Sequence, residues 1–182
     1  MTERFWDFSV RTYGVSGVSQ ACLALQDERG VDVNMLFYCI WIGATRGVFN
    51  EQLYRTAMDY SRDWAAHVVR PLRAARTWMK SEGCRRQGAL DESCMSVRQR
   101  IKAVELEAEK LQQVALESFA LHQDGKPEEN NQVISAVENI KRYFADIDVL
   151  LDNRVCQNSA IVVGAAIDRA SPQRVVDALH KA

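Results

Sequence analysis

The feature that most constrains this chain is an apolar segment at residues 35–44, MLFYCIWIGA, which follows a short polar turn. A helix that is apolar on nearly every side is stable only where other elements cover all of it. Within the turn, Gly30 suits the left-handed position that ends a helix, because it has no Cβ. Asp32 suits the N-cap of the next helix, where its carboxylate accepts hydrogen bonds from free backbone amides. We therefore predict that residues 32–46 form the central, most buried helix.

The remainder of the chain is also expected to be helical, because it contains few residues that interrupt helices. There are nine glycines and three prolines among 182 residues, and 47% of the residues are hydrophobic. Pro71 lies inside a helical pattern and predicts a kink or a restart near residues 67–70. We predict a single all-α domain over residues 1–182, a helical bundle of about seven or eight helices.

Two later segments carry apolar residues in a strict alternation of four and three, which is typical of a helix that packs along another helix. The first segment has Val97, Ile101, Val104, Ala108, Leu111 and Ala115, and the second has Val133, Val137, Ile140, Phe144, Ile147 and Leu151. A short turn, HQDGKP, lies between them. The two segments therefore predict a long antiparallel helical hairpin.

No motif in the sequence identifies an enzyme. There is no GxSxG, no phosphate-binding loop, no GxGxxG and no HExxH, and the three histidines lie on different segments. We therefore assign no catalytic residue, no metal site and no cofactor. The question of enzymatic activity stays open, with a non-enzymatic protein favoured.

Charge, hydropathy and cysteine content indicate a soluble cytoplasmic protein. The formal net charge of −1 provides no global field for nucleic acid or an anionic membrane. The longest apolar run is about half of the ~20 residues that a membrane span requires, and no signal peptide is evident. Five cysteines without a CxxC pair argue against a disulfide framework and for a reducing compartment.

The acidic elbow, Asp27, Glu28 and Asp32, is the first candidate site. Three carboxylates within six residues could offer hard oxygen ligands to a divalent cation. However, a calcium loop needs more ligands at alternating positions, and no second acidic cluster appears at matching spacing. We therefore interpret these acids mainly as the end of one helix and the cap of the next.

The basic stripe, Arg70, Arg73, Arg76 and Lys80, is the second candidate site. Arginine forks match phosphate and carboxylate groups, so the stripe could bind an anionic ligand or an acidic partner. Nucleic-acid binding is disfavoured overall but stays open through this local patch. The competing interpretation is that acids of the following helix balance these charges; those acids are Glu105, Glu107, Glu109 and Glu117.

Three stretches together resemble a family of small helical proteins of proteobacteria that carries a domain-of-unknown-function label. They are FWDFSVRTYGVSGVSQACLALQDERGVDVNMLFYCIWIG, WAAHVVRPLRAARTWMK and IKAVELEAEK. The resemblance covers about residues 4–115, and it implies no catalytic residue because the family has no established activity. Residues 128–182 then form the second hairpin helix and a C-terminal extension. Because the elbow and residues 69–73 both belong to the family pattern, the resemblance implies that they could face each other.

Two functional hypotheses follow from these patterns. The first is a non-enzymatic cytoplasmic interaction or regulatory protein that docks a protein partner, or a second copy of itself, through helical surfaces. The alternative is a small-molecule-binding protein or enzyme that holds an anionic ligand between the elbow and the basic stripe.

Overall fold

The fold is all-α in a computed structural model, which describes residues 3–83, 92–123, 125, 131–168 and 170–181. Within these residues there is no strand. The α-helices in chain order are α1 (Phe5–Tyr13), α2 (Val18–Arg29), α3 (Val33–Thr45), α4 (Glu51–Trp64), α5 (Arg70–Trp78), α6 (Glu92–Phe119), α7 (Gln132–Asp146), α8 (Asn153–Ala166) and α9 (Pro172–His180). Because α4 continues into α5 without a break, the described residues form eight separate helical rods, as the sequence predicts.

The central helix is α3, and its start is set by the residues that the sequence indicates. Gly30 adopts a left-handed conformation, with φ of 70°, and closes α2. Asp32 caps α3 by accepting hydrogen bonds from the amides of Asn34, at 2.8 Å, and Met35, at 3.4 Å. Every residue from 34 to 43 is buried. The prediction that an all-round apolar segment forms the most buried helix is confirmed.

One hydrophobic core is shared by α1 to α4 and α6 to α9. The most extensive helix contact is between α3 and α7, and α8 packs on both α2 and α9. Residues after the family-like stretch therefore cover one side of the central helix. The segment that the sequence suggests as an extension is part of the common core, and its residues Asn153–Ala166 form the helix α8.

The predicted interruption near Pro71 is a π-helical turn. Residues Ala65–Val69 form this turn between α4 and α5, and a second π-helical turn, Met79–Gly83, follows α5. Proline removes one backbone hydrogen bond and crowds the preceding turn, so a wider turn directly before it relieves both problems. The helix axis consequently continues, and α5 packs along α6.

The predicted pairing of the two heptad segments is the main correction. α7 uses its apolar residues to pack on α3, so Val137, Ile140 and Phe144 are buried there rather than against α6. The main neighbour of α6 is instead α5, with further contacts to α1, α3 and α4. The heptad spacing was compatible with either partner, and the almost fully apolar α3 requires cover on more sides.

The cysteines partly follow the expectation from the sequence. Cys22, Cys39 and Cys156 are buried free thiols, and burial raises the pKa of Cys22 to about 12. Cys94 is disulfide-bonded, which differs from the expectation. Among the described residues, none of the helices combines the length and apolarity needed to cross a membrane.

Candidate functional site

The basic stripe is divided by the structure into two parts. Arg73 donates hydrogen bonds to Glu105 at 3.0 Å and to Glu109 at 2.7 Å, both on α6. Arg76 also pairs with Glu105, whose side chain is only 7% exposed. These two arginines are therefore engaged within the fold, as the competing interpretation of the stripe expects.

The outer part of the stripe is free of such contacts. Arg70 and Lys80 are exposed, and neither has an ion pair with any residue that the structure describes. Two isolated cations on a net-neutral surface form a weak anion site, because solvent and salt screen exposed charges. Further arginines at 85 and 86, which the sequence places near this stripe, lie outside the described residues.

The two glutamates that contact these arginines have pKa values that are shifted in opposite directions. Burial opposes ionisation of Glu105, but hydrogen bonds from Arg76 and Arg73 outweigh it and lower the pKa of that carboxyl. Burial raises the pKa of Glu109, and Arg73 offsets only part of the effect. The cluster thus holds one firmly ionised carboxylate and one that accepts a proton more readily than an ordinary glutamate.

The elbow acids do not pair with the arginines of α5. The carboxylate of Asp32 caps α3 and also accepts a hydrogen bond from Nε2 of Gln112 on α6, at 3.0 Å. Glu28 pairs with Arg154 at 2.7 Å, and Asp27 accepts a hydrogen bond from Gln26 at 3.1 Å. The amide of Gln26, not a carboxylate, provides the contact from the elbow to Arg73. The elbow acids therefore form no ion pair with Arg70, Arg73 or Arg76.

The space between the elbow and α5 is filled by side chains of α6. Besides the two glutamates, Gln112 accepts a hydrogen bond from Asn34 at 2.7 Å, and Gln113 donates to Asn34 at 2.7 Å. A small-molecule cleft at this position would have to displace these buried contacts. Two shallow depressions of about 280 and 300 Å³ lie elsewhere, along α4.

The depression of about 280 Å³ is lined by charged side chains, most of which are already paired. Glu51 pairs with both Arg55 and Arg142, and Tyr54 donates to Asp146 at 2.8 Å. No group of three or more His, Cys, Asp and Glu side chains among the described residues could hold a metal ion. The chemistry of these depressions is therefore that of a paired protein surface.

Several large apolar side chains are exposed, and three of them form a row on α6. We call Val97, Val104 and Leu111 the α6 stripe; their exposed fractions are 44%, 49% and 58%. Because the three residues are spaced by seven, they lie on nearly the same side of the helix. Trp78 on α5 is also 55% exposed, two residues after the arginine that contacts Glu105. The α6 stripe is the best candidate for a functional surface, whereas Trp78 lies on the side of α5 away from Arg73 and Arg76.

The α6 stripe lies on a different side of α6 from the glutamates that pair with Arg73 and Arg76 of α5. Consecutive residues on an α-helix point about 100° apart, so Val104 lies roughly a quarter turn away from Glu105. The Glu105 side faces α5, and Ala108 accepts a hydrogen bond from the Trp64 indole at 3.0 Å. The interface with α5 is thus closed by polar contacts, while the stripe beside it stays open.

Sequence reasoning found the residues of this surface but not their environment. The heptad alternation identified Val97, Val104 and Leu111, yet it assigned them to an internal hairpin. Tryptophan is usually a well-buried residue, as Trp41 is at 2% exposed, whereas Trp78 is 55% exposed. Periodicity reveals that a helix has an apolar side, but it does not reveal whether the same chain covers that side.

The fold and the candidate surface define a class: a small all-α protein with one packed core and an uncovered apolar stripe on its longest helix. More particularly, the chain belongs to the family described as protein of unknown function (DUF2390), whose sequence model matches residues 4–116. Neither a curated protein nor a solved structure gives a match. The family match includes all of the α6 stripe and ends before α7.

Proposed function

We propose that this protein is a non-enzymatic interaction protein that binds a helical protein partner through the α6 stripe. The observation that supports the proposal is that Val97, Val104 and Leu111 stay 44% to 58% exposed at heptad spacing. Burial of apolar surface is the main driving force of protein association, and heptad spacing is suited to a second helix.

The contacts around the stripe favour binding over catalysis. On the α5 side of the stripe, Arg73, Arg76 and Glu105 neutralise one another in the α5–α6 interface. A partner helix would therefore meet an apolar row without having to desolvate an unpaired charge from this cluster. Such a surface suits recognition of another helix with its own apolar row.

The proposal includes a bacterial cytoplasm as the site of action. The buried free thiols of Cys22, Cys39 and Cys156 support a reducing compartment, whereas the disulfide of Cys94 is unusual there. Rapid alkylation of intact cells, followed by mass spectrometry of the protein, measures the redox state of Cys94. We expect an alkylated thiol, and a persistent disulfide would overturn the assignment to the cytoplasm.

The test of the function uses a variant in which Val104→Arg and Leu111→Arg are combined. The matched control is Leu150→Arg, because Leu150 is 77% exposed and lies outside the stripe. Proteins that co-purify with the wild type are identified, and the principal one is then purified and titrated with all three forms. We expect the stripe variant to bind at least about tenfold more weakly and the control to bind like the wild type. Equal binding by the stripe variant, with its helical content intact, would overturn the proposal.

A further inference from the structure

We infer that the helical partner of the α6 stripe is a second copy of this chain, with the two α6 helices paired antiparallel. The inference rests on the proposed function and gives its partner an identity. It depends on two properties of α6 that are independent of each other: the symmetry of the apolar stripe, and the charges beside it.

The apolar residues of the stripe are symmetric about Val104. Val97 and Leu111 lie seven residues before and after it, on nearly the same side of the helix. A two-fold axis through this point therefore places Val104 against its own copy and each Val97 against Leu111 of the other copy. Three apolar layers form, each with an aliphatic side chain from both helices.

The charges beside the stripe select the antiparallel orientation. Arg100 and Glu107 lie four residues before and three residues after Val104, on the side away from Glu105. Both are exposed, and neither has an ion-pair partner among the residues that the structure describes. In the antiparallel pair, each Arg100 lies near Glu107 of the other copy, so two opposite-charge pairs form. A parallel pair in register would place these residues of the two copies on opposite sides of the contact between the helices, where the Arg100–Glu107 pairs cannot form.

The position of α5 is compatible with this pairing. It occupies the Glu105 side of α6, where Arg73 and Arg76 hold it, and leaves the side of Arg100 and Glu107 open. Two copies would thus bring two α5–α6 pairs together in a four-helix arrangement. The stripe extends over roughly 21 Å of helix, so we expect a small interface and a dimer that depends on concentration.

The experiment is sedimentation velocity over a range of concentrations, with the wild type, Arg100→Glu, Glu107→Arg and the double variant that carries both changes. Each single reversal creates two like-charge pairs across the two-fold axis, and the double reversal restores two opposite-charge pairs. We expect each single variant to weaken dimerisation by about tenfold or more and the double variant to recover it to within about threefold. Circular dichroism confirms that the exposed substitutions leave the fold unchanged.

Three outcomes would overturn the inference. They are a monomer at every concentration, a dimer that the single reversals leave unchanged, and a double variant no stronger than the single ones. Any of these would leave the proposed function standing if the separate titration still shows a different protein that needs Val104 and Leu111. Conversely, a dimer that tolerates Val104→Arg with Leu111→Arg would count against both.

Discussion

A Cβ atom added to Gly43 on α3 would lie 2.4 Å from the backbone nitrogen and Cα of Ala136 on α7. This distance is far below van der Waals contact, so the two helices approach as closely as their backbones permit. Both residues are buried, and they lie in the most extensive helix contact of the protein. The position of α7 on the central helix thus depends on the absence of a side chain at one residue.

We predict that Gly43→Ala destabilises the protein by about 3 kcal/mol or more. An added methyl group normally favours a helix by up to about 1 kcal/mol, but here it overlaps backbone atoms that cannot move separately. Urea unfolding followed by circular dichroism gives the change in the free energy of unfolding.

The matched control is Gly164→Ala in α8. A Cβ there would come no closer than 3.6 Å to the nearest atom, the carbonyl oxygen of Ala170, which is an ordinary contact. We therefore expect an unchanged or slightly raised free energy of unfolding, by up to about 1 kcal/mol. Similar destabilisation by both substitutions would contradict the close approach of α3 and α7.

A second prediction concerns Asn139, which is fully buried on α7. Its side chain accepts a hydrogen bond from the Phe49 amide at 2.9 Å and donates to the carbonyl of Gly47 at 3.2 Å. We expect Asn139→Ala to cost on the order of 3 kcal/mol, because these backbone groups stay buried without a partner. Gln52→Ala, an exposed change on α4, should shift the free energy of unfolding by at most about 0.5 kcal/mol.

The identity and boundaries of the helices were largely predictable from the sequence, because they depend on local chemistry. Asp32 and Asn50 cap α3 and α4 with hydrogen bonds to nearby amides, and Pro71 is preceded by the expected interruption. Each of these effects acts within about one helical turn. The burial of α3 was predictable for a similar reason, since its own residues require cover on every side.

The pairing of helices and ions was less predictable, because it depends on residues far apart in the chain. Arg73 meets Glu105 across 32 positions, whereas the elbow acids, which belong to the same family pattern, pair elsewhere. Charge type alone permits many pairings, and exposed or half-buried ion pairs contribute too little energy to choose among them. The packing of α5 along α6 decides which charges meet.

A third prediction concerns the ion pairs that Arg73 and Arg76 of α5 form with Glu105. Replacement of both Arg73 and Arg76 by alanine leaves the Glu105 carboxylate, 7% exposed, without its two partners. We expect a loss of about 3 kcal/mol in the free energy of unfolding, because removal of one partner leaves a buried charge uncompensated. Arg70→Ala removes an exposed arginine from the same helix and should cost at most about 0.5 kcal/mol. An equally small effect of the double change would show that Glu105 is solvated.

Because the pKa of Glu105 is lowered and the pKa of Glu109 is raised, the two carboxyls are predicted to change the stability of the protein in opposite ways as the pH falls. The pKa of Glu105 is lowered from the ordinary 4.5, since hydrogen bonds from the arginines outweigh burial. Its stabilising contribution is therefore complete above pH 4.5 and is lost as the pH falls through the folded-state pKa. Burial raises the pKa of Glu109, so the folded protein binds that proton first, and stability is gained as the pH falls towards 4.5.

Urea unfolding from about pH 7 to about pH 3, with wild type, Glu105→Gln and Glu109→Gln, separates these two contributions. The advantage of the wild type over Glu105→Gln should shrink below pH 4.5, where the carboxylate becomes protonated. The stability of the wild type relative to Glu109→Gln should rise as the pH falls from neutral towards 4.5. If all three proteins show parallel pH profiles, neither carboxyl has a shifted pKa, and Glu109 is more solvated than its position between α5 and α6 implies.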